Sequence, residues 1–94
     1  MSERIYFDYA ATTPLRQEVK ERMIEVMDVF GNPSSTHDFG RKSRIIVEEA
    51  RRYIAKQLNC TPGEIIFTSC GTEADNFALH IPVRDLGIKH IITS

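Results

Sequence analysis

An excess of charge of either sign is missing from these 94 residues, with 12 basic side chains standing against 13 acidic ones. That balance argues against a nucleic-acid binder relying on a basic face. Long apolar runs are missing too. None approaches the roughly twenty residues that a membrane helix needs, and no apolar signal segment follows Met1-Ser2-Glu3-Arg4. A soluble, cytoplasmic protein without a membrane or nucleic-acid partner is therefore expected. Cysteine is scarce. Cys60 and Cys70 are too few for a disulfide framework and too far apart for a compact zinc site, so no metal site is predicted. Each cysteine reads most simply as a small buried or half-buried thiol, while Cys70 keeps the option of a reactive, low-pKa thiol at a helix start. The chain also has neither a Gly-x-x-x-x-Gly-Lys loop nor a Gly-x-Gly-x-x-Gly loop, which leaves nucleotide-type phosphate binding unsupported. Repeats, low-complexity tracts and linkers are absent, and the length allows one small domain at most.

What is present begins with a short apolar run, Ile5-Tyr6-Phe7, followed by Asp8 to Thr13 as an extended arm, so that residues 1–14 form the arm. Thr13-Pro14 reads as a helix start, because a threonine hydroxyl caps unpaired N–H groups and proline suits the first helical position. Residues 15–58 then read as two helices. The first carries Leu15, Val19, Met23, Val26, Met27 and Phe30 in one stripe at helical period and is broken by Gly31-Asn32-Pro33. The polar stretch from Ser34 to Gly40 is rich in capping residues. The second helix follows to about Leu58, with Val47, Ala50, Ile54 and Leu58 on one face and Glu48, Arg51, Arg52 and Lys56 on the solvated side.

Residues 59–94 read as strand, helix, strand. Thr61-Pro62-Gly63 is a turn, and Glu64 to Thr68 is a strand rich in β-branched and aromatic residues. A third helix starts near Glu73, with a kink or break predicted at Pro82 and a C-terminal cap at Leu86-Gly87. His90 to Thr93 is the second strand. Strand–helix–strand implies a parallel α/β sheet. Two short strands cannot make such a sheet covered on both faces, so the α/β fold is expected to be incomplete as given.

The stretch from Ile65 to Asn76 carries the chemistry. A strand opens through small residues into a helix, Gly71 lets a ligand approach the backbone, the first helical N–H groups point outward, and the Thr72 hydroxyl adds a donor. Residues alone leave two readings open, a capped turn or a phosphate site at the C-terminal end of a strand. Glu73 and Asp75 suit the helix dipole but oppose a phosphate.

Four blocks carry a family resemblance. Tyr6-Phe7-Asp8-Tyr9-Ala10-Ala11-Thr12-Thr13-Pro14 resembles the N-terminal arm of class V aminotransferase-type enzymes. Gly31-Asn32-Pro33-Ser34-Ser35-x-His37-x-x-Gly40 resembles the next block, and Glu64 to Asn76 the third. His90-Ile91-Ile92-Thr93-Ser94 resembles the strand leading to the active-site histidine. Together they resemble the cysteine desulfurase branch, of the NifS/IscS type, in its N-terminal portion.

The resemblance implies the N-terminal part of a fold-type I transferase dependent on pyridoxal 5′-phosphate (PLP), a homodimer at full length. It implies an enzyme that converts L-cysteine to L-alanine, with the sulfur held as a persulfide and passed to a scaffold or acceptor protein for iron–sulfur cluster assembly or tRNA thiolation. Gly71 and Thr72 match the positions that bind the PLP phosphate. Ala10-Ala11-Thr12 and the Asn32 to His37 block match positions near the active site or dimer interface, while His37 read alone is also a loop-capping residue. The family's ring-stacking histidine, pyridine-pairing aspartate, cofactor lysine, catalytic cysteine and substrate arginine would lie beyond Ser94. None of Lys20, Lys42, Lys56 and Lys89 has the matching context, and Cys70 does not match the family nucleophile. No catalytic residue is assigned, and the 94-residue chain alone is expected to be inactive and unable to retain PLP. The alternatives are a related class V enzyme, such as a selenocysteine lyase or aminotransferase, or a non-catalytic helical interaction module.

Overall fold

The computed structural model describes residues 2–94 and contains three α-helices: α1 (Gln17–Met27), α2 (Asp38–Leu58) and α3 (Gly71–Asp85). A 3-10 turn spans Pro62–Glu64. The chain divides into two compact units, Met1–Ala50 and Arg51–Ser94, with α2 running through the division.

In the first unit, the arm is not extended throughout. The Asp8 carbonyl accepts the N–H groups of Ala11 (3.1 Å) and Thr12 (3.4 Å), which makes a turn. The Tyr6 hydroxyl donates to the carbonyls of Asp8 (2.9 Å) and Thr12 (3.3 Å), and the Tyr6 and Tyr9 rings meet edge to face at 5.3 Å. Helix α1 starts at Gln17 rather than at Thr13-Pro14, and its N-cap, Arg16, offers no side-chain cap. Two carbonyl bonds fix that start instead, since Arg16 accepts from Val19 and Lys20, each at 3.1 Å. Exposed pairs lie along the helix, Gln17 to Glu21 at 3.0 Å and Arg22 to Glu25 at 2.9 Å. Each contributes a few tenths of a kcal/mol at most. The helix ends at Met27, so Phe30 falls in the loop beyond it.

That loop packs tightly on the start of α2. Asn32 shapes it: its side-chain oxygen accepts the Ser34 N–H (2.9 Å) and its carbonyl accepts the Ser35 N–H (2.9 Å). Arg44 donates to the Pro33 carbonyl at 2.8 Å, and Arg41 to the Thr36 carbonyl at 3.0 Å and to Asp38. His37 precedes the helix, and its Nδ1 accepts the Gly40 N–H at 3.3 Å, an N-cap bond. Phe30 and Phe39 stack at 4.8 Å. Gly40 is buried, and a Cβ there would stand 2.6 Å from the Asn32 carbonyl oxygen and 2.7 Å from that of Ser35. At Gly31, φ is +134° and a Cβ would meet the Phe39 backbone at 2.6 Å.

In the second unit, α2 closes on Asn59, whose φ of 55° is left-handed. Cys60 N–H then reaches the Ala55 carbonyl (3.0 Å) and Asn59 N–H the Lys56 carbonyl (3.3 Å), the two bonds of a Schellman closure. The following 3-10 turn is held by Glu64, whose carboxylate accepts both the N–H (2.7 Å) and the hydroxyl (2.8 Å) of Thr61.

Neither predicted strand forms among the described residues. Ile65 has extended angles, φ −93° and ψ 120°, but a strand is defined by its ladder, and neither Glu64 to Thr68 nor His90 to Thr93 has a neighbour to pair with. The fold is helical here, and the two-strand prediction is corrected. Helix α3 begins at Gly71, earlier than predicted, and passes Pro82 without breaking. Pro82 falls in the last turn, where little helix remains to be disrupted, and its carbonyl accepts from Leu86 (3.3 Å) and Ile88 (3.1 Å). Gly87, at φ +66°, makes the second of those bonds possible and ends the helix as predicted.

Burial is slight. Ala55 is the one buried apolar residue among the described residues, adjacent to the predicted α2 stripe, and large side chains such as Phe7 (89%) and Ile92 (87%) stay exposed. An open apolar groove of about 350 Å³ lies between α3 and the extended segment, where Ile66 and Thr68 face Phe77, Ala78 and Ile81. No helix of the described residues is long and apolar enough to cross a membrane.

Candidate functional site

The head of α3 is assembled from Thr68 to Asn76. Cys70 is the N-cap residue, extended at φ −165° and ψ 171°, and its carbonyl accepts the first helical bond from Ala74 at 3.2 Å. The N–H groups of Gly71 and Thr72 precede that bond and have no acceptor within the helix, as at any helix start. Both residues are exposed. The two residues singled out from sequence are thus adjacent, in the first helical turn, with the positive end of the helix dipole behind them, and the Thr72 N–H and hydroxyl also face the Cys70 thiol.

Neighbouring side chains hold this turn in shape. The Thr68 hydroxyl donates to the Cys70 carbonyl at 3.0 Å, and the Asn76 amide donates to the Thr72 carbonyl at 2.8 Å. Glu73 folds back, and its carboxylate accepts the Ser69 N–H at 2.8 Å and also the Ser69 hydroxyl. The carboxylate thus holds the residue before the N-cap, without the reciprocal bond that would complete a capping box. Those two bonds, the hydroxyl first, hold the Glu73 carboxyl below its ordinary 4.5. From sequence Glu73 appeared only as a charge opposing an anion. In the structure its charge is engaged by Ser69, which lessens that opposition.

Cys70 is exposed, and its thiol is held below its ordinary 9.0, chiefly by the Glu73 backbone N–H and next by the Ser69 hydroxyl. It makes no capping hydrogen bond of normal geometry, so the interaction is a weak orientation of donors around sulfur.

The glycine at 71 is informative because nothing in the chain itself demands it. Its φ is outside the left-handed region, and a Cβ there would meet no atom within 4 Å. Space on the Cβ side of Gly71 is open. The donor set, two backbone N–H groups and a hydroxyl at a helix head, has the chemistry that a phosphate monoester requires. The PLP phosphate therefore fits these residues.

The other predicted positions belong to the first unit. Ala11 and Thr12 supply N–H groups to the Asp8 turn, and the Asn32 to His37 block makes the loop against α2, with His37 serving as a cap. One residue escaped the sequence reading. Arg51 donates to the Ile65 carbonyl and lies over the Phe67 ring at 4.9 Å. The helical pattern placed it on a solvated face, and no local signal joins it to a segment 14 residues away.

The aminotransferase class-V family model matches residues 5–93. The cysteine desulfurase IscS of Dictyoglomus turgidum is 53% identical over 97 aligned positions, which cover 100% of this chain and 25% of that protein. The cysteine desulfurase IscS of Methanosarcina thermophila is 45% identical, covering 99% of this chain and 24% of that protein. The selenocysteine lyase of Bos taurus is 45% identical over 90 positions, covering 95% of this chain and 21% of its own length. The chain thus spans about a quarter of the length of these curated relatives. No solved structure matches it.

Proposed function

The chain belongs to the aminotransferase class-V family, and from that premise we propose that it is the N-terminal segment of a PLP-dependent cysteine desulfurase whose cofactor phosphate rests on Gly71 and Thr72. The observation that carries the site is the open face of Gly71, a glycine that neither backbone geometry nor packing requires. The relatives named cysteine desulfurase, matching along nearly the whole chain, support the activity.

Bound PLP supplies an electron sink for bond breaking at the substrate amino acid. This segment's own part is binding and orientation. Gly71 and Thr72 N–H groups and the Thr72 hydroxyl take the phosphate, and the Ser69–Glu73 contact keeps the turn that presents them. The amino-acid chemistry would fall to residues outside these 94. In the full-length protein, Glu64 to Thr68 and His90 to Thr93 gain sheet neighbours and become strands. The enzyme is then a cytoplasmic homodimer acting on L-cysteine, with a sulfur-acceptor or scaffold protein as partner.

Titration of full-length apoprotein with PLP, followed by cofactor absorbance, tests the site. Thr72→Val is expected to weaken binding about tenfold, since it removes one hydrogen bond to a charged group. Unchanged binding would remove Thr72 from the cradle. L-Alanine release from L-cysteine tests the activity, and the 94-residue chain alone is expected to show none. The bovine lyase favours a second reading, a selenocysteine lyase. Preference for L-selenocysteine over L-cysteine in competition would select it.

A further inference from the structure

We infer that His37 is a positioning residue held in one neutral tautomer, with its proton on Nε2, so that it donates a hydrogen bond from Nε2 and transfers no proton in the reaction. Only the last clause rests on the desulfurase reading given above. The starting point is the Gly40 N–H. It belongs to the first turn of α2 and has no intrahelical acceptor, since the His37 carbonyl takes the Arg41 N–H at 3.0 Å. Gly40 is buried, so its N–H needs an acceptor within the chain. That acceptor is His37 Nδ1, at 3.3 Å.

Accepting requires a lone pair. Nδ1 therefore carries no proton, and a neutral imidazole must then carry it on Nε2. A general base working at Nε2 would need the opposite tautomer, and a general acid would need both nitrogens protonated. Either state turns an Nδ1–H toward the Gly40 N–H and leaves a buried donor unpaired.

Neither partner is free to swing away. The His37 ring meets the Phe39 ring at 67° with centroids 6.2 Å apart, and Phe39 stacks on Phe30. The Asn32 and Ser35 carbonyl oxygens fill the space beside the Gly40 Cα. Arg44 and Arg41 hold the loop backbone through the carbonyls of Pro33 and Thr36, and Arg41 also pairs with Asp38. All of these contacts are made within residues 30–44, so they do not depend on what the full-length protein adds around them.

Nitrogen-15 spectra of histidine-labelled full-length protein test the tautomer, at about pH 8, above the ordinary range of imidazole titration. The His37 signals are assigned by their loss in His37→Asn. The expected pattern is an acceptor-type Nδ1 and a pyrrole-type Nε2, with the Nδ1–H form below about a tenth of the population. A pyrrole-type Nδ1, or two protonated nitrogens, overturns the inference. Substitution then separates capping from proton transfer. Asparagine is a good cap, so His37→Asn should keep the wild-type melting midpoint, while His37→Ala should lower it by about 2 °C. His37→Asn should also keep both limbs of the pH profile for L-alanine release. A limb lost in His37→Asn would make the imidazole a proton-transferring group and overturn the inference. Should the full-length protein release no L-alanine from L-cysteine, the desulfurase reading falls, while the spectra still decide the tautomer.

Discussion

The stretch from Gly31 to Gly40 and the stretch from Ser69 to Asn76 each run from a loop into the first turn of a helix and both contain glycine, yet their glycines have different settings. At Gly31 and Gly40 the space for a Cβ is already filled, by the Phe39 backbone in one case and by the Asn32 and Ser35 carbonyls in the other. At Gly71 that space is empty. The first pair is dictated by the chain's own packing, whereas the chain's own packing gives no reason for the second. A glycine in a motif therefore argues for a binding site only after internal reasons for it have been removed.

The comparison can be broken most severely at Gly40. Gly40→Ala should destabilise the full-length protein by about 3 kcal/mol, near the upper end for overpacking, because the nearest atoms it meets are backbone carbonyl oxygens that cannot rotate away. Chemical denaturation measures this, and a loss below about 1 kcal/mol would mean the loop yields easily. Gly71→Ala should behave in the opposite way. Its stability should stay within about 1 kcal/mol of wild type, since alanine suits a helix better than glycine. Its affinity for PLP should fall roughly tenfold, equivalent to about 1.4 kcal/mol. A Gly71→Ala protein that binds PLP normally would erase the distinction between the two loops.

A smaller effect concerns the contact that shapes the second loop. The Glu73 carboxyl is held below its ordinary 4.5 by the Ser69 hydroxyl and N–H. A folded value below the unfolded one means the contribution is fully present above 4.5, and it is lost as pH falls through the lower folded value. The amide resonance of Ser69, labelled selectively with nitrogen-15, should therefore shift with an acid midpoint below 4.5. Glu73→Gln should abolish that midpoint, and a midpoint that persists would assign the titration to another group. The least effect is expected at Asn59, with its φ of 55°. Asn59→Gly should change stability by only a few tenths of a kcal/mol, whereas Asn59→Ala should cost about 1 kcal/mol. Thermal melting of both variants checks the left-handed closure of α2.

Sequence made local devices legible and long-range ones illegible. Helix α2 was readable from its apolar spacing and from the turn at Thr61-Pro62-Gly63, and its end at Leu58 agrees. Gly87 was readable as a cap because φ > 0 is a local demand. The start of α1 was misread because Thr13-Pro14 carries the signature of a cap, while Arg16 carbonyl bonds set the actual boundary. The strands were expected from β-branched composition, but a ladder depends on a partner that composition does not supply. At the candidate site, the helix start at Gly71 and Thr72 agrees to within two residues with the start expected near Glu73. Arg51 was not legible, because helical periodicity describes its own helix and says nothing about the Ile65 carbonyl.

The scarcity of buried apolar surface has a calorimetric consequence. Heat capacity rises on unfolding because apolar groups become hydrated, by about 12–15 cal/mol/K per residue in an ordinary globular domain. Here Ala55 is the one apolar residue buried among those described, and large side chains from Ile5 to Ile92 already face water. Heating the 94-residue chain by itself should thus expose little that is not exposed already. Its heat-capacity increment should be far below the globular value and its transition broad, because cooperativity comes from a shared core and this chain in isolation has almost none.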